Sequence, residues 1–462
     1  MLDAIVAHKR EVVAGRRRLV PEAELRRSLA PGRHALRERL RGTRPLFILE
    51  CKRASPSAGM LRPDPDLEAI AGTYAEWADA VSVLTEERFF QGSLRDLDFW
   101  RARTPLPLLR KDILVDPYEV LEARHHGADA VLLMLSVLDD PAYTDCLALA
   151  RELGLDALTE VHDEHELGRA LHLGCDLLGI NNRNLKTLEI DRDTTRRLAP
   201  RVPPGLPVIA ESGIESHAQI RELGPWVDGF LVGTALMRAP RIDLAARGLR
   251  LGQVKVCGLT RVEDARLAWQ LGATHGGLNF VPGSPRAVRP EQARALVREV
   301  PLAWVGIFQD AEPGTMADSA HTLGLSAIQL HGNEPRALVD RLREELPAHV
   351  AVWKAVSWEA PPVTARALGA DRLVLDSASG TRLGGTGIPF DPVRARLWPE
   401  LSQAVIAGGI GPDQIESARR LDPWLIDVNS AVEESPGRKD AERLTRLFDQ
   451  LRVLPHRNRS HP

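Results

Sequence analysis

Short apolar runs alternate with longer amphipathic stretches along the whole chain. In the first half the runs are FILE from Phe47, VSVLT from Val81, LPLLRK from Leu106 and AVLLMLS from Ala130, then DALTE from Asp156, LLGIN from Leu177, PVIAES from Pro207 and GFLVG from Gly229. Helical patterns such as DPYEVLEARHHGA and EHELGRALHLGC lie between them. Brief, continuously apolar runs read as strands buried on both faces. Strands alternating with helices read as parallel β/α units. About eight units over some 200 to 250 residues is the size of a TIM barrel. A doubly wound open sheet is the rival, but its first strand should run into a glycine-rich fingerprint, and Ser55-Pro56-Ser57 stands there instead.

The pattern restarts near Gly252. VKVCG from Val254 is a new first strand, and GGLNF, WVGIFQD, AIQLHG, VAVWKAV, RLVLDS, AVIAGG and LIDVNS follow. AVIAGGI echoes PVIAESGI of the first half. The expected fold is therefore α/β, two consecutive (β/α)8 TIM barrels, residues 1–252 and 253–462, with almost no linker near Leu249 to Gln253. Leu2, Ile5, Val6, Val12 and Val13 fall at helical spacing, which predicts an extra amphipathic helix ahead of the first barrel.

A chain of 462 residues, 44% hydrophobic and 27% charged, suits globular domains with full cores. The net charge of -3 offers no case for nucleic-acid or membrane partners. Charges interrupt MLDAIVAHKREVVAGRRR throughout, unlike a signal peptide, and no stretch is apolar enough to span a bilayer. Cys51, Cys146, Cys175 and Cys257 are scattered, with no CxxC pair. That argues against zinc and disulfides and for a reducing, cytoplasmic compartment. The tail from His456 reads as a frayed end.

Polar residues close the strands. Glu50, Lys111, Glu160, Asn181 and Glu211 each end an apolar run of the first half, and Lys52 follows two residues after Glu50. Singly, each could be a helix cap or a structural ion pair. Together they would converge on the C-terminal rim, the active-site face of barrel enzymes. Gly213 after the seventh strand, and Gly233 with Thr234 after the eighth, stand where barrels bind phosphate, though plain turn glycines would look the same. In the second half Gly408, Gly409, Asn429 and Ser430 form the corresponding grip. Cys257 closes the first strand there and Asp376 the sixth, a thiol and a carboxyl group suited to base and acid work. Arg286 could hold a carboxylate in two-pronged fashion, and the loop from Gly384 through Gly385 to Gly387 could serve as a lid.

These motifs resemble two families. FILECKRASPS, VSVLTEERFFQGS, LLRKDILVDPYE, ALTEV, GINNRNL and VIAESGI look like indole-3-glycerol phosphate synthase. VKVCGLTRVEDA, SPR, IQLHGNEP, LDS followed by GGTG, IAGGI and DVNSAVEESPGRKD look like phosphoribosylanthranilate isomerase. Their order resembles the bifunctional enzymes of tryptophan biosynthesis. The resemblance implies phosphorylated small-molecule substrates, no metal, no organic cofactor and compatibility with a monomer. It implies that the second barrel performs an Amadori rearrangement of N-(5-phosphoribosyl)anthranilate, with Asp376 as acid, Cys257 as base and Arg286 on the anthranilate carboxylate. The first barrel would cyclise, decarboxylate and dehydrate the product. There Lys111 would be the general acid, Glu160 would assist proton transfer, Lys52 would meet the substrate carboxylate and Glu50 would orient the lysines, with Asn181 and Glu211 completing the site. Phe90 and Pro56 would pack on the aromatic ring. Arg53, Ser55, Arg183, Ser212, Gly213, Gly233 and Thr234 would grip phosphate. Three positions depart from the family pattern: Ile113 in place of an aromatic residue, Asn184 in place of an aspartate, and Ala431 in place of a glycine. The alternatives are another phosphate-sugar barrel isomerase, against which Cys257 speaks, and a non-catalytic phosphate-ligand binding protein.

Overall fold

Each apolar run becomes a strand whose central residues are buried, as a parallel sheet covered by helices requires. The structure, a computed structural model, describes residues 2–42, 44–184, 187–379, 382–383 and 390–457. The first-half strands are β1 (Leu46–Cys51), β2 (Ala80–Leu84), β3 (Leu108–Lys111), β4 (Ala130–Met134), β5 (Asp156–Val161), β6 (Leu177–Asn181), β7 (Val208–Glu211) and β8 (Gly229–Val232). They close into a parallel barrel in which β1 pairs with both β2 and β8. Register aligns the polar strand ends: Lys111 lies beside Leu84, Glu160 beside Met134 and Glu211 beside Asn181. Ile48, Leu109, Leu132, Leu158, Leu177 and Ile209 belong to the apolar core below that rim.

The second half repeats the plan with β9 (Gln253–Val256), β10 (His275–Asn279), β11 (Ala303–Phe308), β12 (Ala327–Leu330), β13 (Ala351–Ser357), β14 (Arg372–Asp376), β15 (Val405–Ile406) and β16 (Leu425–Val428). These strands also close into a parallel barrel. Its core includes Val305, Trp353, Val374, Val405 and Leu425. The compact units are Met1–Ala246 with Leu454–Pro462, and Arg247–Val453. Residues 454–457 belong with the first unit. Arg457 is anchored rather than frayed, donating to the carbonyls of Leu206 at 3.0 Å and Val202 at 2.5 Å. The expected lid residue Gly385 lies outside the described residues, as do its neighbours in 384–389. No helix of the described residues is long and apolar enough to cross a membrane.

The predicted N-terminal helix is α1 (Leu2–Leu19), and its buried stripe is Ile5, Lys9 and Val13. Lys9, on the buried face one turn beyond Ile5, is fully buried. Its Nζ lies 2.9 Å from Asp112 Oδ2 and 2.9 Å from Glu119 Oε1. Arg110, also fully buried, donates to Asp112 at 3.1 Å, and Thr85 Oγ1 donates to the same oxygen at 2.6 Å. Burial works against the Lys9 charge, but Asp112 and Glu119 outweigh it and hold the ammonium above its ordinary range. A buried ion cluster of this kind is costly to break from one side. Lys9→Met should therefore destabilise the first unit by about 3 kcal/mol, the low end for an orphaned buried charge because Arg110 remains. Native-state hydrogen exchange of β3 and β5 amides checks this; unchanged protection would refute it.

Candidate active sites

Three pairings organise the first rim. Lys52 Nζ donates to Glu50 Oε1 at 2.6 Å, so the two residues that close β1 form an ion pair at the barrel mouth. Lys111 Nζ donates to Glu160 Oε2 at 2.9 Å and to Glu211 Oε2 at 2.6 Å. Burial opposes the Lys111 charge, but Glu160, Glu211 and Glu50 together hold its ammonium well above the ordinary lysine range. The two carboxylates that share it differ. Burial pushes Glu211 up to about 7, with Glu160 and Glu50 adding to the rise against the pull of Lys111. Burial also opposes ionisation of Glu160, yet Lys111 and His162 overcome it and hold that carboxyl well below its usual range. One ammonium thus sits between a carboxylate that stays ionised and one poised near neutrality, a set able to pass protons in either direction.

A cavity of about 310 Å³ opens over this rim. Glu50, Lys52, Lys111, Glu160, Asn181 and Glu211 line its floor, while Pro56, Phe90 and Ile113 add apolar wall. Leu2 and Ile5 of α1 contribute further apolar surface. Ser55, Arg183, Ser212, Gly213, Gly233 and Thr234 line the cavity too. Asn181 Oδ1 accepts from the Arg183 amide at 2.9 Å and so fixes the turn that aims Arg183. Gly213 has φ 74°, and a β-carbon there would come within 2.5 Å of Ile190 Cγ2, so only glycine fits. Arg53 departs from expectation. It does not line the cavity; its guanidinium grips Asp96 in two-pronged fashion at 2.7 and 3.1 Å. Asn184 Oδ1 accepts from the Thr187 amide at 3.2 Å, a loop-shaping contact.

The second rim is built around Lys255. Its Nζ contacts Asp427 Oδ2 at 2.6 Å, Gln329 Oε1 at 2.8 Å and Cys257 Sγ at 3.4 Å. Burial pushes the Cys257 thiol up, and Lys255 pulls the other way. Asp376, at the end of β14, is pushed up to about 6 by burial, with Asp427 adding to the rise. The Ser377 amide donates to Asp376 Oδ1 at 2.7 Å and holds the group in place. Arg286 is oriented by Glu433, which accepts from Nε at 3.1 Å and from Nη2 at 2.7 Å. Lys439 Nζ bridges Glu433 at 2.8 Å and Asn429 Oδ1 at 3.0 Å, tying the expected carboxylate and phosphate grips together. Gly408 and Gly409 both have positive φ, 96° and 65°, and Ser430 opens the short helical turn after Asn429. The Ala431 methyl points at Gly411, where a second β-carbon would lie 2.8 Å away.

Comparison with known proteins assigns a family to each barrel. The family model for indole-3-glycerol phosphate synthase matches residues 2–249, and that for N-(5'phosphoribosyl)anthranilate isomerase matches residues 254–450. The tryptophan biosynthesis protein TrpCF of Vibrio cholerae is 44% identical over 454 residues, covering 98% of this chain and 96% of that one. TrpCF of Salmonella typhi is 43% identical, covering 98% and 99%. The chain belongs to the TrpCF family. A solved phosphoribosyl anthranilate isomerase from Thermus thermophilus is 36% identical and covers 43% of this chain and 98% of its own, with a TM-score of 0.39.

Some residues at the TrpCF sites were not foreseen from sequence. Arg238 and Glu215 line the synthase cavity, and Arg238 adds to the burial that lowers the Arg183 pKa. Gly179 is another. A β-carbon on it would lie 2.1 Å from Glu211 Oε1, and Gly277 stands likewise 2.8 Å from Cys257 Sγ. The available signal was a glycine inside an apolar strand, which marks a close approach. Gly179→Ala should push Glu211 off Lys111 and lower synthase kcat by about tenfold, a one-ångström misplacement being able to cost more than that. Steady-state kinetics of the variant, with isomerase activity as the unaffected control, checks this.

Proposed function

We propose that the two rims divide two consecutive steps of tryptophan biosynthesis, with the side chains acting as follows. In the isomerase barrel Asp376 protonates the ring oxygen of N-(5-phosphoribosyl)anthranilate and opens the ring. Cys257 takes the C2 proton, and the resulting enol becomes carboxyphenylaminodeoxyribulose phosphate. Lys255, 3.4 Å from the sulfur, stabilises the thiolate that proton abstraction needs. Arg286 meets the anthranilate carboxylate through Nη1, since Glu433 occupies its other edge. Gly408, Gly409, Asn429 and Ser430 receive the phosphate.

In the synthase barrel Lys111 protonates the sugar carbonyl during ring closure, and carbon dioxide and water then leave. Glu160, the ionised partner, moves the proton in dehydration. Lys52 meets the substrate carboxylate while Glu50 holds it in place. Phe90 and Pro56 flank the aromatic ring, and Arg183, Ser212, Gly213, Gly233 and Thr234 take the phosphate with Ser55 beside them. Arg53 has no part in that grip; it braces the segment after β1 against Asp96. The observation that carries the synthase reading is Lys111 shared between Glu160 and Glu211 inside the cavity. The four cysteines are unpaired, which supports a reducing, cytoplasmic setting.

Phosphoribosylanthranilate supplied to the purified chain should be converted to indole-3-glycerol phosphate. Lys111→Ala should stop at the carboxyphenylamino intermediate, and Asp376→Asn should block its formation, each with a loss of about 100-fold or more. An unaltered chain inert toward both compounds would overturn the assignment. The isomerase also has a signed pH dependence. Asp376, pushed up to about 6, must be protonated to act and Cys257, whose thiol is pushed up by burial, must be ionised, so isomerase kcat/KM should rise with pH up to about 6 and then level off. A profile that keeps climbing about tenfold per pH unit from 5 to 8, as thiolate formation alone would give, would remove Asp376 from the acid role.

A further inference from the structure

Glu160 has a second neighbour that the reaction as assigned leaves unused. His162 Nε2 lies 3.3 Å from Glu160 Oε1, the oxygen turned away from Lys111. Both atoms are buried and lack a hydrogen-bond partner among the described residues, so this ion pair is what compensates each. On its far side His162 Nδ1 lies 3.0 Å from Glu166 Oε2, and the same oxygen accepts the His162 amide at 2.8 Å. Glu166 stands in the first turn of the helix Glu164–His172, whose start is capped by Asp163. The ring is therefore held between a catalytic carboxylate and a helix-borne one. The charged groups around it form a line: Glu166 and Glu160 face His162, Lys111 of β3 faces Glu160, and Glu211 of β7 faces Lys111.

We propose that His162 is a positioning residue of the synthase site: clamped by Glu166, its imidazolium fixes Glu160 as a carboxylate turned toward Lys111. A cation on each side of Glu160 explains why it differs from Glu211, which shares the same ammonium but faces further carboxylates. Glu160 and Glu166 raise the imidazole to about 10 against the effect of burial, so it stays charged across the working range. The role rests on the assignment of Glu160 to proton transfer, and it makes Glu160 a proton acceptor at the start of that step.

The test is the pH profile of synthase kcat with carboxyphenylaminodeoxyribulose phosphate as substrate, for the unaltered chain, His162→Asn and Glu166→Gln. Losing the His162 charge lets the Glu160 pKa rise, so the acidic limb should move to higher pH by about one unit or more, the usual effect of an opposite charge at this range. Glu166→Gln should shift the limb the same way by letting His162 lose its proton, and it keeps the inference testable if His162→Asn does not fold. A limb unmoved in variants that retain the native melting transition would overturn the inference. Glu160→Gln is run alongside: full activity in that variant would refute the underlying assignment rather than the role of His162.

Discussion

A lysine ammonium taken out of water at the end of a strand must be surrounded by negative charge, and that constraint shapes both rims. Lys111 meets it with Glu160 and Glu211, and the electrostatic consequences spread from there. One carboxylate is held ionised by a second cation, and the other is lifted toward neutrality by its carboxylate neighbours. Lys255 does the same in the second barrel with Asp427, placing a cation beside the Cys257 thiol. The chemistry differs, but each site begins as the solution to burying one ammonium.

Packing makes these pairings possible. Gly179 and Gly277 lie inside strands, where the missing side chain leaves room for Glu211 and for Cys257. Larger residues would sit better in an isolated strand, so here the reactive groups override strand propensity. The same trade appears at the foot of α1. Its buried stripe carries Lys9, which locks onto Asp112, the residue after Lys111. The helix that contributes Leu2 and Ile5 to the synthase cavity is thus fastened to the strand end that carries the acid.

Much of this was legible in the chain. The apolar runs of both halves became barrel strands, because a strand buried on both faces needs an unbroken apolar run. A parallel barrel turns every strand end to the same rim, so Glu50, Lys111, Glu160, Asn181 and Glu211 could be grouped without any distance. The N-terminal helix was readable from the spacing of Leu2, Ile5 and Val13, but Lys9 was not, since spacing records polarity and says nothing of partners a hundred residues away.

Sequence alone thus determined the fold, the order of the two barrels and which polar residues stand near the strand ends. These depend on local pattern and on the fixed direction of parallel strands. Tertiary structure alone decided the pairings. It turned Arg53 away to Asp96, held Arg286 on Glu433, brought residues 454–457 back to the first unit and put His162 against Glu160. A long charged side chain can reach several partners, and which one it takes depends on distances between elements far apart in the chain.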